Sequence, residues 1–318
     1  MTEEAGSAGP TLDGVRSVLL DRRGAVSARA PDEEVAGHYG DPLREQRTLL
    51  TDGGVVDRSH RGVITVSGPD RLSWLHSLTS QHLTALPAGV WTEALVLSPH
   101  GHVEHDIRLV DDGDTTWLHV EPGTAPALVG YLESMRFMLR VEVADVTASY
   151  AVLSDIEPTG FADATDRLVR RESLPDEIGD RALAGHDAWE ALRVAAGVPR
   201  LGFETDHRTI PHEIGWIGSA VHLDKGCYRG QETVARVHNL GRPPRRLVLL
   251  HLDGTSETLP PPGTAVTDGD RAVGFLGTAV HHADLGPIAL AVIKRSTADD
   301  AHLMVEGMAA KAERLVDA

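Results

Sequence analysis

The pattern of apolar and polar positions predicts strands and helices in alternation over the first half of the chain. The β-branched run at residues 63–67 is bounded by glycines, which is typical of a strand. Turn residues at 67–70 lead into a leucine stripe over residues 72–83, which predicts a helix. Further strands are predicted at residues 55–57, 92–97, 103–110, 115–120 and 141–153, and a second helix at residues 125–139. Strands and helices in this alternation, with hairpins between them, indicate an α+β fold.

The second half of the chain divides into a polar middle and a strand-rich end. Residues 157–184 are polar and predict irregular structure. A helix predicted at residues 188–196 is stopped by Gly197 and Pro199. Short apolar runs separated by turn clusters over residues 247–293 predict a small β-barrel or sandwich.

Length and composition indicate a globular protein of two or three compact units. The chain has 318 residues, of which 41% are hydrophobic and 24% charged. No apolar run reaches about 18 residues, so we expect no transmembrane helix. The acidic start predicts no secretory signal, but a disordered tip followed by a short element near residues 15–20. One cysteine cannot form an internal disulfide, which favours a cytoplasmic location.

Charge is distributed unevenly along the sequence. The formal net charge is −17 at pH 7, which disfavours binding to nucleic acid or to an anionic membrane. A basic cluster nevertheless occurs towards the carboxyl end: Lys225, Arg229, Arg236, Arg242, Arg245 and Arg246. A local basic field on an acidic protein favours a small anionic ligand, and the alternative is a solvated charged face.

The single cysteine, Cys227, lies in the stretch DKGCYRGQET at residues 224–233. Most single cysteines are inert core residues. Here Lys225 and Arg229 flank the thiol, and a helix that begins near residue 231 would add backbone dipoles, and both features favour a thiolate. From the residues alone, a functional thiol and a structural cysteine both stay open.

Histidines are concentrated at residues 98–106, where three histidines and two acids occur. A strand would place His100 and His102 on one face and His105 on the other. One hairpin rarely supplies three ligands at about 2 Å from a metal, so we predict no metal site. The chain also lacks the phosphate-loop, dinucleotide-binding and Gly-x-Ser-x-Gly motifs.

Residues 225–232 resemble the signature of the YgfZ family of folate-binding proteins, Lys-Gly-Cys-aromatic-x-Gly-Gln-Glu. Other segments resemble the related glycine-cleavage T-proteins, which are aminomethyltransferases: residues 57–62, 67–72, 192–199, 211–213, 245–248 and 286–291. The resemblance extends from about residue 53 to about residue 295, which is most of the chain.

The resemblance implies an α+β fold of the GcvT type, with three lobes around a central hole that binds tetrahydrofolate. It divides the chain into an N-terminal extension, partly disordered, at residues 1–45, a folate-binding region of two intertwined α+β subdomains at 46–245, and a small β-barrel domain at 246–318. The YgfZ branch is implicated in folate-dependent assembly or repair of iron–sulfur clusters. The implied partners are therefore a folate and iron–sulfur client enzymes or assembly proteins.

Three departures from the T-protein pattern separate two functions. Ala195 stands where T-proteins carry a glutamate that helps to hold the pterin, and His105 replaces one member of an acidic pair, leaving Asp106. Cys227 stands where the T-protein counterpart of the signature has aspartate. These changes speak against aminomethyl transfer, which stays the alternative together with a non-catalytic sensor.

The resemblance implies two sets of functional residues. Cys227 is the candidate thiol, and the residues expected to tune or fix it are Lys225, Tyr228, Gln231 and Glu232. The candidate cofactor-binding residues are Arg193, Arg246, His60, Gly226 and Gly230. For Arg193 the alternative is an exposed helix residue, and for Arg246 a charge on an edge strand. The ligand stays open between tetrahydrofolate and another pterin- or deazaflavin-like cofactor.

Overall fold

The computed structural model of the chain describes residues 16–255 and 258–316. The helices in this part of the chain are α1 (Pro42–Asp52), α2 (Arg71–Leu78), α3 (Ala125–Ser134), α4 (Leu174–Ile178), α5 (His186–Ala195) and α6 (Gln231–Leu240). The strands are β1 (Val26–Ser27), β2 (Ala36–His38), β3 (Gly54–Asp57), β4 (Gly62–Ser67), β5 (Thr92–Leu97), β6 (Val103–Asp111), β7 (Thr115–Val120), β8 (Glu142–Asp145), β9 (Tyr150–Glu157), β10 (Gly160–Arg170), β11 (Leu183–Ala184), β12 (Arg245–Leu252), β13 (Ala265–Asp268), β14 (Arg271–His282), β15 (Gly286–Lys294), β16 (Leu303–Val305) and β17 (Met308–Arg314).

The first lobe is a five-stranded antiparallel sheet with the order β5-β6-β7-β4-β8. Its apolar positions pack with α2 and α3 in one buried cluster that includes Ile64, Leu75 and Leu128. The strands predicted at residues 63–67, 92–97, 103–110 and 115–120 are confirmed, whereas the strand predicted at residues 141–153 is divided between β8 of this sheet and β9 of the next. The helix predicted to residue 139 ends at Ser134 instead.

The second lobe is a four-stranded sheet with the order β10-β9-β3-β11. Residues 157–184, which predict irregular structure, contain the eleven-residue strand β10, so that prediction is wrong. The physical reason is that most positions of β10 are exposed or half-buried, and one of its buried residues is Asp166, which ion-pairs with Arg58. An ion-paired acid interrupts the apolar alternation that marks a strand.

The third lobe is a closed six-stranded barrel with the order β12-β15-β14-β13-β16-β17. Its interior contains Val248, Leu250, Ala291 and Val305, which are all buried. The predicted carboxyl-terminal barrel is therefore confirmed, because its short apolar runs close on themselves and leave no free edge.

Residues 16–45 make buried contacts with the second lobe. Leu19 shares a core cluster with Val55 and Leu153, and the Ser17 hydroxyl donates a hydrogen bond to the Asp57 carboxylate. The short element predicted near residues 15–20 is a 3₁₀ helix, Val18–Asp21.

The predicted disordered tip falls on residues 1–15, outside the described residues. The domain boundaries at residues 45 and 245 stay a prediction. In the ranges 16–255 and 258–316, none of the helices combines the length and the apolar character that crossing a membrane requires.

Candidate functional site

A central cavity of about 430 Å³ lies where the two sheets, α5 and the end of the barrel meet. Flat apolar side chains form part of its wall, among them Phe161, Trp189 and Trp216. The wall also contains the arginines Arg58, Arg61, Arg108, Arg193 and Arg200 and the acids Glu93, Asp106, Glu121, Asp166 and Glu190. Flat apolar groups combined with convergent charges suit a heterocyclic ligand with polar edges.

Arg200 lies at the centre of a buried ion-pair network beside this cavity. Its Nε donates to Glu121 at 2.7 Å, and its two terminal nitrogens donate to Asp32 at 2.8 and 2.5 Å. Arg61 donates to the other oxygen of Glu121 at 2.5 Å. Burial alone would raise the pKa of Glu121, but the two guanidinium groups hold it below its usual range. Glu121 is therefore a fixed anion in the wall.

His119 joins this network through both ring nitrogens. Arg61 Nε donates to His119 Nδ1 at 2.8 Å, so the proton of the ring lies on Nε2, which is 2.9 Å from Asp166. Burial lowers the pKa of His119 to about 3. The ring is therefore neutral and bridges Arg61, in the connection between β3 and β4, to Asp166 on β10.

Asp32, His60 and His186 form a buried cluster whose ligand atoms lie within 4.8 Å of one another, which is compatible with a metal ion. His60 Nε2 lies 3.0 Å from one Asp32 oxygen, and His186 Nε2 lies 3.3 Å from the other. Arg200 donates two hydrogen bonds to the Asp32 carboxylate, whereas His60 Nδ1 and both ring nitrogens of His186 are buried without a hydrogen-bond partner within the described residues. The Arg200–Asp32 ion pair therefore holds the carboxylate of this cluster in place, and His60 is neutral because burial lowers its pKa to about 3.

Glu93 and Asp106 form a carboxyl pair at the cavity wall. Their side chains are hydrogen-bonded to each other, and the Trp216 indole donates to Glu93. Burial raises the pKa of both groups, and the charge of Glu93 raises that of Asp106 further. The pair therefore shares one proton, which Asp106 holds and donates to the Glu93 carboxylate.

Arg193 lines the cavity but already has protein partners. Its guanidinium donates to Glu190 at 2.9 and 2.7 Å, to Glu204 at 3.2 Å and to Thr278 of the barrel at 2.6 Å. Arg193 is 4% exposed, so it is not the exposed helix residue of the alternative. It ties α5 to the barrel.

Two family comparisons match the chain over the lobes described above. The family described as the GCVT N-terminal domain matches residues 20–156, and that described as the CAF17 C-terminal beta-barrel domain matches residues 245–315. The chain belongs to the YgfZ/CAF17 family of the GcvT superfamily. The predicted family is thereby confirmed, whereas residues 225–232 lie between the two matched ranges, so the signature itself stays a prediction.

Curated relatives of this YgfZ/CAF17 chain have names of two kinds. It is 29% identical over 250 residues to a mitochondrial iron-sulfur cluster assembly factor IBA57 homolog of Mycosarcoma maydis (67% of this chain, 60% of the relative). It is 26% identical over 266 residues to a chloroplastic protein of Arabidopsis thaliana with a provisional name as a transferase (70% and 60%). An aminomethyltransferase of Symbiobacterium thermophilum is 25% identical over 338 residues (88% and 89%). The chain thus spans about 60% of the length of the first two relatives.

A solved structure supports the fold of this family member. The glycine cleavage system aminomethyltransferase T from Bartonella henselae superposes with a TM-score of 0.79, covering 93% of this chain and 95% of that one. The sequences are 16% identical, so the likeness shows the fold alone. The predicted α+β arrangement of the GcvT type, ending in a barrel, is confirmed.

The loop of the YgfZ signature lies outside the cavity wall. Cys227 is exposed and unpaired in the described part of the chain, so it is not buried core. Lys225, by contrast, is 5% exposed, and its ammonium group donates to the backbone carbonyls of His76, Thr79 and Gln81. These contacts anchor the loop to the end of α2.

The aromatic residue of the signature is part of the protein core. Tyr228 is 8% exposed, and the Lys225 ammonium lies 4.8 Å from the centre of its ring. Burial raises the pKa of Tyr228 to about 12. Tyr228 therefore packs under the loop.

The two glycines of the signature differ in what they contribute. Gly230 has a φ of 83°, and a Cβ there would lie 2.6 Å from the Ser98 carbonyl oxygen, so glycine is needed for conformation and for space. A Cβ at Gly226 would meet nothing within 4 Å. Gly230 holds the loop against the hairpin between β5 and β6.

The remaining charged and polar residues of the signature lie near the surface. Arg229 pairs with Glu104 at 3.1 Å. Gln231 and Glu232 begin α6, and Glu232 is exposed. In residues 16–255 and 258–316, the hydrogen bonds of Lys225 go to carbonyls and none goes to Glu232.

Arg246 is not among the residues that line the cavity. It lies on β12, which pairs with strands on both sides, so it is not an edge-strand charge. Its guanidinium donates to the carbonyls of Arg295 and Thr297 at 2.8 and 2.9 Å and to Asp299 at 2.7 Å. Arg246 and Arg193 therefore do not line the same cavity. His60 does not line it either, because its ring packs against that of His186 and contacts Asp32.

Sequence reasoning missed several residues of the cavity wall. Glu93 and Arg108 are charged positions within predicted strands, and Arg200 follows the helix stop at Pro199. A charged residue inside an apolar strand was the available signal for the first two. Nothing in the sequence pairs Arg200 with Asp32, because 168 residues separate them.

Proposed function

We propose that this protein binds a tetrahydrofolate-type ligand in the central cavity and acts in the assembly or repair of iron–sulfur clusters, with Cys227 as its functional thiol. The GcvT-type fold supports the ligand, and the IBA57 homolog among the relatives supports the process. The partners would be iron–sulfur client enzymes or assembly proteins, and the location the cytoplasm.

The observation that carries the proposal is that Cys227 is exposed and does not line the cavity. A partner protein could therefore reach the thiol while the ligand occupies the cavity. Iron–sulfur clusters prefer several cysteine ligands, and the chain has one. The thiol would accordingly be one ligand of a cluster whose other ligands come from a partner protein, or it would hold a cluster transiently during transfer. A third option is that it reacts as a thiol without binding a cluster.

The cavity supports a ligand of the size and kind proposed. Its volume of about 430 Å³ lies within the range of ordinary small-molecule sites. Phe161, Trp189 and Trp216 offer flat surfaces for a heterocycle. Of the predicted cofactor-binding residues, Arg193 lines this wall, and we retain it as a residue that shapes the cavity while holding α5 to the barrel.

The Cys227→Ala variant tests the thiol. We expect it to fold normally, to bind tetrahydrofolate like the wild type, and to lose complementation of a strain with a cluster-enzyme defect. Glu104→Gln changes an exposed residue on the neighbouring hairpin and should complement fully. Full complementation by Cys227→Ala would refute the thiol proposal.

A second candidate is folate-dependent aminomethyl transfer, which one observation favours. Asp106, the acid that remains of the T-protein pair, lines the cavity and is buried. Glycine-cleavage activity with purified partner subunits would support this candidate, provided that Asp106→Asn abolished it. Ala195 and His105 speak against it, since they replace two carboxylates of the T-protein pattern.

A further inference from the structure

Three polar side chains on one face of the β5–β6 hairpin line the central cavity. Glu93 and Arg108 are direct cross-strand partners, and Asp106 precedes Arg108 by two residues. Because side chains two apart on a strand point to the same side, Asp106 and Arg108 share a face. The hairpin therefore presents two acids and an arginine to the cavity together.

Two buried polar atoms of this group have no hydrogen-bond partner within the described residues, namely Arg108 Nε and Asp106 Oδ1. The contact of Arg108 with Asp166 is 3.7 Å, which is longer than a hydrogen bond. Every guanidinium nitrogen of Arg193 and of Arg200 donates to a protein acceptor, whereas Arg58 Nε, at the same cavity, also lacks a partner within the described residues. Arg108 therefore has N–H groups at the cavity that no protein acceptor uses. A buried N–H group without an acceptor lowers the stability of the fold, and a ligand acceptor would remove that penalty.

Glu93 has acceptor capacity left over. A carboxylate provides about four acceptor positions. Asp106 and the Trp216 indole use one each. Two positions remain, and Glu93 is only partly buried at the cavity wall. The side chain can therefore accept two parallel N–H donors from a ligand.

We propose that Glu93 and Arg108 read the aminopyrimidinone edge of a pterin. Glu93 would accept from the 2-amino group and N3–H, and Arg108 would donate to the 4-oxo group, which follows them along the same edge. The assignment deepens the proposed function and rests on it. It also supplies a carboxylate to the cavity of a chain that has Ala195 in place of the T-protein glutamate.

The same arrangement selects against flavin-like and deazaflavin-like rings. Their pyrimidine edge presents oxo, N–H and oxo groups in order, so an acceptor would face the Glu93 carboxylate. Contact between the ring oxo group and the Glu93 carboxylate is repulsive, because both are acceptors and no hydrogen lies between them. The donor–donor–acceptor edge of a pterin instead places a donor opposite Glu93 and an acceptor opposite Arg108. The specificity thus lies in the pair Glu93 and Arg108.

The test is titration of the full chain with tetrahydrofolate, followed by a tetrahydropterin and the corresponding tetrahydrolumazine, which has an oxo group in place of the 2-amino group. Glu93→Gln should weaken tetrahydrofolate binding by about 100-fold, as should Arg108→Met. Glu93→Gln should also narrow the preference for pterin over lumazine, because the glutamine amide can donate to the new oxo group. A purely structural residue would not shift that preference.

Glu104→Gln, which changes a residue of β6 outside the cavity wall, is the matched control and should bind like the wild type. Urea unfolding would verify that each variant is folded. If Glu93→Gln does not fold, Glu93→Asp is measured in its place. Unchanged affinity and preference in both Glu93 and Arg108 variants would overturn this assignment while leaving the folate proposal intact. Failure of the wild type to bind tetrahydrofolate would overturn the proposed ligand and the assignment with it.

Discussion

The ammonium group of Lys225 donates a hydrogen bond to the backbone carbonyl of Gln81 at 3.2 Å. It also donates to His76 and Thr79, so all three of its donors are used at the end of α2. The sequence predicts that Lys225 biases Cys227 toward the thiolate. The contacts favour an anchoring role instead, in which Lys225 fixes the loop so that the thiol stands exposed.

Removing the Lys225 ammonium should destabilise the fold. We expect Lys225→Met to lower the free energy of unfolding by about 3 kcal/mol, because three backbone carbonyls lose a charged donor. Urea unfolding followed by circular dichroism measures this. Arg229→Met removes a partly exposed ion pair in the same loop and should cost less than about 1 kcal/mol. Equal losses in the two variants would contradict the anchoring role.

The two glycines of the loop provide a matched pair. Gly230→Ala should destabilise the protein by about 2 kcal/mol or more, because alanine strains the φ of 83° and its Cβ meets the Ser98 carbonyl. Gly226→Ala should stay within about 0.5 kcal/mol of the wild type, since the space around it is open. Thermal and urea unfolding measure the stability of the two variants. A larger loss in Gly226→Ala than in Gly230→Ala would contradict the loop packing described here.

His119 should make stability depend on pH. Its pKa in the folded protein, about 3, lies below the ordinary value of 6.5, so its contribution is complete above pH 6.5 and is lost as the pH falls toward 3. Between about pH 6.5 and pH 5 the free energy of unfolding should fall by about 2 kcal/mol on its account. His119→Gln should flatten the profile over this interval.

The control for this pH profile is His251→Gln, which changes an exposed histidine paired with Glu313. Urea unfolding at a series of pH values should give this variant the same slope as the wild type. A His119→Gln profile as steep as that of the wild type would contradict a neutral, buried ring held between Arg61 and Asp166.

The sequence predicts the first sheet and the barrel because their apolar positions alternate with polar ones and turn residues separate the strands. Strand β10 escapes prediction because most of its positions are exposed or half-buried and because Asp166 is buried through an ion pair rather than by being apolar. A pattern of hydrophobicity cannot predict that an acid is buried when its burial depends on an ion pair with a distant residue, here Arg58.

The sequence likewise predicts one part of the candidate site and not the other. The local signature led to Cys227 and its loop, since all of its members are adjacent in sequence. The cavity wall depends on contacts such as Arg200 with Asp32 and Glu93 with Arg108, which only the folded chain creates. Arg246 shows the converse, because a cation that suits an anionic ligand by type is engaged elsewhere in the barrel.

The most direct test of the central claim is a calorimetric titration of tetrahydrofolate into the wild type and into Cys227→Ala. The account predicts saturable binding of one ligand per chain with equal affinity in both proteins. It also predicts quenching of tryptophan fluorescence that diminishes in Trp216→Phe, because Trp216 lines the cavity and Cys227 does not. Absence of saturable binding, or binding that is lost with Cys227 and leaves the fluorescence unchanged, would contradict it.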